Sequence, residues 1–268
     1  MRRRLLLSLA LLGAFTADAA ERVVSLAPSM SEVMLELGAG ELLVGVLDGG
    51  ERPAALAGIP SVGRYGKLEL ETLLSLRPDL ILLWPDSISS AQREQLAGFG
   101  IPLYQATPRR LDDLADQLEA IGERIGRAEA GRTRAAHLRD RLARLRERYR
   151  RATPIPVFYQ IWDEPLYTIG GTQVISDALA TCGARNLFAD LRLPAPQVGI
   201  EAVLARDPAV ILTSEPGQRD AWQRWPQLTA VRRDQVWAVP DRGIERPSLQ
   251  MLDATERLCE RLADARVD

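Results

Sequence analysis

The amino-acid sequence predicts an α/β fold of two small lobes joined by a single long backbone helix, with a ligand cleft between the lobes. Three observations predict it. Short strand and helix signals alternate through the first half of the chain, a proline-free, arginine-rich stretch interrupts them, and the alternation then resumes to the end. The divisions expected are a leader at 1–19, an N-terminal lobe at 20–127, a bridging helix at 128–152 and a C-terminal lobe at 153–268. With 268 residues, 46% of them hydrophobic, the chain has ample material for such cores.

In chain order, Arg22 to Ala27 reads as a short strand, and Pro28-Ser29 opens a helix running to about Leu37, stopped at Gly38. Val44 to Val46 suggests a second strand. A helix from about Leu70 to Leu76 is closed by Pro78, and the apolar run Leu80 to Leu83 reads as a buried strand ending at Trp84-Pro85. Gln92 to Phe99 is helical, Ile101 to Gln105 a strand, and the chain is helical again from Leu111. From about Ala128 to Arg151, Leu138, Leu142, Leu145 and Tyr149 recur at helical spacing among many arginines, which predicts one helix of roughly 35 Å bracing two lobes. Its basic character is expected to be mostly a solvated face. Beyond Pro154-Ile155-Pro156, strands are predicted at Val157 to Trp162, Ala209 to Thr213 and Val236 to Val239, with helices at Gln173 to Ala180 and about Ser248 to Ala263. Each lobe is thus a parallel-sheet, Rossmann-like unit.

A faint repeat supports the two-lobe division. Leu68 to Asp86 overlays Val198 to Pro216 without a gap, pairing Glu71 with Glu201, Leu74 with Leu204, Pro78 with Pro208, Ile81 with Ile211 and Leu82 with Leu212. Each copy has an acid near a helix start, a helix stopped by proline, and a buried strand. Glu71 and Glu201 then occupy equivalent places on the two lobes, and read without further context they are ordinary first-turn acids complementing a helix dipole.

The first residues read as a signal peptide, with Arg2, Arg3 and Arg4, an apolar run from Leu5 to Phe15, and Ala17-Asp18-Ala19 at the cleavage positions. That run falls short of the roughly 20 apolar residues of a spanning helix, so a cleaved leader and a periplasmic mature protein are expected. Loss of three arginines and one aspartate leaves acids in modest excess, which argues against nucleic acid as a partner. Export places Cys182 and Cys259 in an oxidising compartment, where an even cysteine count predicts a disulfide; its 77-position separation corresponds to roughly 4 kcal/mol of chain-entropy stabilisation. There is no Gly-x-Ser-x-Gly elbow, no His-Glu-x-x-His pair and no phosphate loop. Gly38, Gly40 and Gly45 imitate a dinucleotide fingerprint but follow a helix where a strand is required. His137, the only histidine, sits on the bracing helix, so a histidine-rich metal site is set aside. No catalytic residue, cofactor or metal is expected.

Aromatic and charged residues gather instead at positions following strands, where open α/β sheets place their ligand crevices. Tyr65 lies in a glycine-rich loop, Trp84 ends one strand, Trp162 ends another, and Tyr167 precedes Gly170-Gly171. The last predicted strand is followed by Asp241, Arg242, Gly243, Ile244, Glu245 and Arg246. Each aromatic alone fits a core as well as a site, but their shared position, on both lobes, favours a cleft of flat apolar faces with a few charges.

On Arg22 to Ser29 with Glu32, Leu76-Arg77-Pro78-Asp79-Leu80, Cys182 to Phe188, Pro196-Gln197-Val198 and Glu245-Arg246, the chain resembles the periplasmic substrate-binding proteins with a helical backbone, and among them those of vitamin B12 uptake. The resemblance covers nearly the whole mature chain. It implies lobes that rock only slightly, and cobalamin or a related corrinoid as transported ligand rather than cofactor. Cleft contacts are expected from Tyr65, Trp84, Tyr167, Glu245 and Arg246, with Trp162, Arg242, Gly243 and Ile244 beside them. It further implies an inner-membrane ABC permease dimer as partner of a monomeric binding protein, with Glu71 and Glu201 docking into arginine pockets on the two subunits. Cys182 and Cys259 fall where such proteins have their disulfide. Two large faces depart from that pattern: Gly49 and Ala195 stand where an aromatic and a tryptophan are found. A ferric siderophore or haem in the same cleft is the alternative, for which Arg64, Arg242 and Arg246 would meet anionic oxygens. An exported enzyme and an empty scaffold are the more distant readings.

Overall fold

The computed structural model describes residues 19–49, 52–85 and 87–267; apart from Ala19, the expected leader lies outside the described residues. In the N-terminal lobe, β1 (Val23–Ser25) leads into α1 (Pro28–Glu36), β2 (Leu43–Asp48), β3 (Ser61–Arg64), β4 (Lys67–Leu68), α2 (Leu70–Ser75), β5 (Leu80–Leu83), α3 (Ser90–Gly98), β6 (Leu103–Gln105) and α4 (Asp112–Arg124). The long helix α5 (Ala128–Arg148) follows. The C-terminal lobe contains β7 (Ile155–Trp162), β8 (Tyr167–Thr168), α6 (Val174–Thr181), β9 (Ala184–Asn186), α7 (Ile200–Arg206), β10 (Val210–Thr213), α8 (Thr229–Arg232), β11 (Val236–Ala238) and α9 (Leu249–Ala263).

The first sheet runs β4-β3-β2-β1-β5-β6 and the second β11-β10-β7-β8, with β9 also pairing β7. The central strands are parallel, as the alternation requires. Two edge strands are not: β4 pairs β3, and β8 pairs β7, antiparallel. Neither was predicted as a strand, and β3 and β9 were not either; a connection as short as Tyr65-Gly66 permits only an antiparallel return for β4. Local chemistry also moves some predicted ends. Helix α3 starts earlier than its apolar pattern suggests because Ser89 and Gln92 form a capping box.

The repeat is present in the backbone. Strands β5 and β10 and helices α2 and α7 occupy the paired segments, and the residues before the paired prolines, Arg77 and Asp207, both adopt left-handed backbone with φ of 47° and 39°. Neither is glycine, so each lobe accepts the same local steric cost to turn from helix into strand.

Period-2 alternation on these strands sorts the core. Val24, Leu26, Ile81 and Leu83 face an outer cluster of the first lobe, and Phe158 and Ile211 face an outer cluster of the second. Their neighbours Val23, Leu80, Leu82, Val157, Tyr159, Val210 and Leu212 all belong to one continuous inner cluster that also takes in Leu138, Leu142 and Leu145 of α5. The lobes therefore share a core, and a wide hinge motion would have to open close-packed apolar surface. Gly122 and Gly131 let α4 and α5 approach closely, for a Cβ on Gly131 would lie 2.7 Å from the Leu118 carbonyl oxygen.

The charged face of α5 departs from expectation. Arg139 pairs with Asp116 and Glu119 of α4, Arg141 with Asp253 and Glu256 of α9, and Arg146 with Asp112 of α4 and Asp177 of α6. The solvated-face reading is corrected on this point: these three arginines tie the brace to both lobes, because their long stems reach carboxylates on the flanking helices. The helix also ends at Arg148, short of the predicted limit. Cys182, at the end of α6, is bonded to Cys259 of α9, with Cα atoms 4.5 Å apart, as expected.

A second inter-lobe contact joins α1 to the start of α9. Glu32, with its side chain 4% exposed, accepts from Arg246 at 2.7 Å and from Ser248 at 2.9 Å, while the Leu249 amide donates to Glu36 at 2.8 Å. The second oxygen of Glu36 is buried without a partner. Burial first, then the charges of Glu32 and Asp253, push the Glu36 carboxyl up to about 7, against the lowering effects of the Leu249 amide and Arg134. A raised carboxyl value means that the folded state holds a proton the unfolded state has released. The stability contributed is full below 4.5, falls as pH rises to about 7, and is flat above. Chemical denaturation across pH 4 to 8 should show a declining component of at most about 3 kcal/mol that is absent from Glu36→Gln.

Candidate functional site

The carboxyl ends of the parallel strands in both lobes supply the candidate site. Beyond β11, Asp241 caps a short 3-10 turn by accepting from the Gly243 amide, and this turn, Arg242–Glu245, carries the charged residues singled out in the sequence. Arg242 is exposed and lies 2.8 Å from Glu215 and 3.6 Å from Glu245. Glu245 is held from beneath: one of its oxygens accepts from the Ser214 hydroxyl at 2.7 Å and from the Tyr159 hydroxyl at 3.3 Å. Burial, followed by the Glu245 charge, raises the Tyr159 phenol far above its usual range, so it remains a neutral donor. Arg246 turns the other way and pairs with Glu32 of the first lobe.

Gly243 and Ile244 are buried, and Ile244 joins the inner core. Backbone and side chain alike are covered, so these two support the turn from within, while Arg242 and Glu245 present side chains. Trp162 is 54% exposed, its indole N–H donating to the Glu164 carbonyl, and its cross-strand partner is the half-buried Tyr167. Two aromatic rings thus stand together at one edge of the C-terminal sheet.

On the N-terminal lobe, Tyr65 occupies the tip of the β3–β4 hairpin and is 69% exposed. Gly66 follows it with φ of 77°, a conformation that leaves the tyrosine projecting without strain. Trp84, at the carboxyl end of β5, is half-buried and packs against the inner core, with its indole nitrogen buried and unpartnered. It presents much less open surface than Tyr65 or Trp162. The position of Gly49 lies against Pro28, where a Cβ would approach the proline ring to 2.9 Å, so a large side chain there would have to displace α1 or the loop. Beside it, Asp48 holds Arg52 and accepts from Ser61 at 2.6 Å; the Ser61 hydroxyl and then Arg52 hold its carboxyl below the usual range. Ala195 is exposed.

Glu71 and Glu201 stand apart from this cluster. Both are exposed in the first turns of α2 and α7. Each helix leads back to the amino end of the next parallel strand, so both acids lie toward the side of the sheets on which the strands end.

Tyr159, Ser214 and Glu215 are not singled out by the sequence, and Glu32, which is among the residues carrying the resemblance, has no role assigned there. Glu215 alone had a usable signal, standing two residues beyond a predicted buried strand. The others are a strand residue, a small hydroxyl and a helix acid, whose roles arise only where distant segments meet. Among the described residues no group of three or more histidine, cysteine or carboxylate side chains is placed to hold a metal ion, and no helix is long and apolar enough to cross a membrane.

Comparison with known proteins places this geometry. Residues 23–242 match the periplasmic binding protein family. The vitamin B12-binding protein of Vibrio cholerae is 36% identical over 243 residues, which is 90% of this chain and 88% of that protein. The crystal structure of the periplasmic vitamin B12 binding protein BtuF of Vibrio cholerae superposes with a TM-score of 0.83 over 91% of this chain and 97% of that one, at 36% identity. The periplasmic haem-binding protein HutB of the same organism shares the fold at 20% identity, with a TM-score of 0.78 over 90% of this chain and 98% of that one.

Arg246→Ala leaves the buried Glu32 carboxylate with only Ser248 as a partner, and urea denaturation should register a loss of about 3 kcal/mol or more. Adding Glu32→Gln should recover part of that loss.

Proposed function

The chain belongs to the periplasmic binding protein family, and on that premise we propose that it captures cobalamin, or a related corrinoid, between its lobes and delivers it to an ABC transporter of the inner membrane without catalysing any reaction. The observation that carries this reading is the 36% identity, over 90% of the chain, to a protein named for vitamin B12 binding. The cleft is compatible with it. Tyr65 and Trp162 offer open aromatic faces from opposite lobes, Tyr167 stands beside Trp162, and Arg242 and Glu245 supply polar groups between. In this reading Trp162 takes over apolar contact that Gly49 and Ala195 do not provide, and Trp84 and Arg246 shape the cleft wall. Gly243 and Ile244 support the turn from within the core.

The proposed division is a leader at 1–19 removed on export to the periplasm, lobes at 20–127 and 153–268, and the brace at 128–152. The protein acts as a monomer toward its ligand and engages a permease dimer through Glu71 and Glu201, one acid from each lobe, matching a two-lobed carrier to a two-subunit partner. Such exposed charge contacts set orientation and encounter rate more than affinity. The shared core limits lobe rocking, so the cleft is largely preformed, which reduces the entropic cost of capture.

Titration of the mature protein with cyanocobalamin, followed by tryptophan fluorescence and calorimetry, should give saturable one-to-one binding below micromolar concentration; Trp162→Ala should weaken it about tenfold, on the scale of a lost aromatic contact. Absence of binding, with haem or a ferric siderophore binding instead, would overturn the ligand. Glu71→Lys combined with Glu201→Lys should abolish transporter-dependent uptake and leave the dissociation constant unchanged.

A further inference from the structure

The charges on the C-terminal face of the cleft are already satisfied by one another. Arg242 lies between Glu215 and Glu245, Arg246 is held by Glu32, and Asp241 by Arg257. The only exposed cation of the turn is thus shared between two carboxylates, both of them partly open to the cleft, with side-chain exposures of 46% for Glu215 and 31% for Glu245. On the opposite lobe, Arg64 and Lys67 share a hollow with Asp48 and Glu69, and Asp48 is already engaged by Arg52, so the excess of carboxylates belongs to the C-terminal face alone.

A ligand bearing carboxylates would bring only acceptors and negative charge to a face on which carboxylates outnumber the available arginine. To be bound it would have to displace Glu215 from Arg242 and would still face Glu245, itself fixed by Ser214 and Tyr159. A primary amide is matched differently. Its oxygen accepts from the guanidinium while its N–H groups donate to Glu215 or Glu245, and no net charge is desolvated.

We infer that the C-terminal face of the cleft recognises uncharged primary amides on the ligand periphery and discriminates against the corresponding carboxylates, with Glu215 as the specificity-determining residue. The inference rests on the corrinoid reading, since the cobalamin ring carries such amides around its edge, and it sets this face of the cleft against the carboxylates of anionic chelates such as haem.

The test compares, by calorimetry at pH 7.5, cyanocobalamin with its monocarboxylic acids, each having one peripheral propionamide hydrolysed. At least one isomer should bind tenfold or more weakly than cyanocobalamin. Glu215→Gln, which keeps an acceptor for the capping contact with Gln218, should narrow that ratio severalfold because Arg242 is released to meet the carboxylate. Glu215→Ala should narrow it likewise, and the melting temperature of each variant establishes that it is folded. Binding of every isomer within twofold of cyanocobalamin, or a ratio unmoved by both variants, overturns the amide preference while leaving the corrinoid reading in place. Failure of cyanocobalamin itself to bind overturns the corrinoid reading and the amide preference with it.

Discussion

Glu32 is a carboxylate buried on the first helix whose partners, Arg246 and Ser248, lie more than two hundred positions away at the entry to the last. A charge taken that far out of water must be paired and hydrogen-bonded, so this contact fixes where the start of α9 lies against α1. The placement of the Arg242–Glu245 turn follows from it. Arg246 is held back toward the first lobe, and the residues just before it, Arg242 and Glu245, are left to face the cleft. Glu36, one helical turn along, repeats the contact with the Leu249 amide and carries an unpaired buried oxygen. The lobes thus meet through buried polar groups on one side, with Glu36 the proton-sensitive one, and through a continuous apolar core on the other.

The brace α5 contributes to both kinds of contact. Leu138, Leu142 and Leu145 insert into the inner core, while Arg139, Arg141 and Arg146 clamp helices of both lobes. An arginine-rich helix with a narrow apolar stripe is usually a solvated one. Here, opposite charges on three surrounding helices make the polar flanks part of the joint. Exposed pairs of this sort each contribute little, and the arrangement gains its effect from bidentate geometry and number.

The cleft follows a similar logic of internal pairing. Tyr159 and Ser214, from beneath, fix Glu245; Glu245 and Glu215, from the sides, hold Arg242. A site arranged in this way presents donors and acceptors at fixed positions without excess charge. Aromatic faces at Tyr65 and Trp162 then supply apolar area. In the proposed cleft, orientation and apolar contact thus fall to different residues.

Much of this was legible in the sequence. Alternating strand and helix signals, the proline-stopped helices and the run Leu80 to Leu83 depend on periodicity and turn chemistry within a few residues, and these local rules placed the two sheets, the long helix and the internal repeat. The cysteine pair followed from compartment and count. The aromatic positions followed from strand ends, because a parallel sheet exposes its carboxyl edge to a crevice wherever it occurs. What the sequence left open has a common cause. The edge strands β8 and β9 are too short to carry a pattern, and the roles of Glu32, Tyr159, Ser214 and the α5 arginines exist only between segments far apart in the chain. Local preferences determine which elements form and which way they point. Whether a buried acid is a liability or an anchor, and whether an exposed arginine is free or already held, is decided by the partners that tertiary packing brings within hydrogen-bond distance.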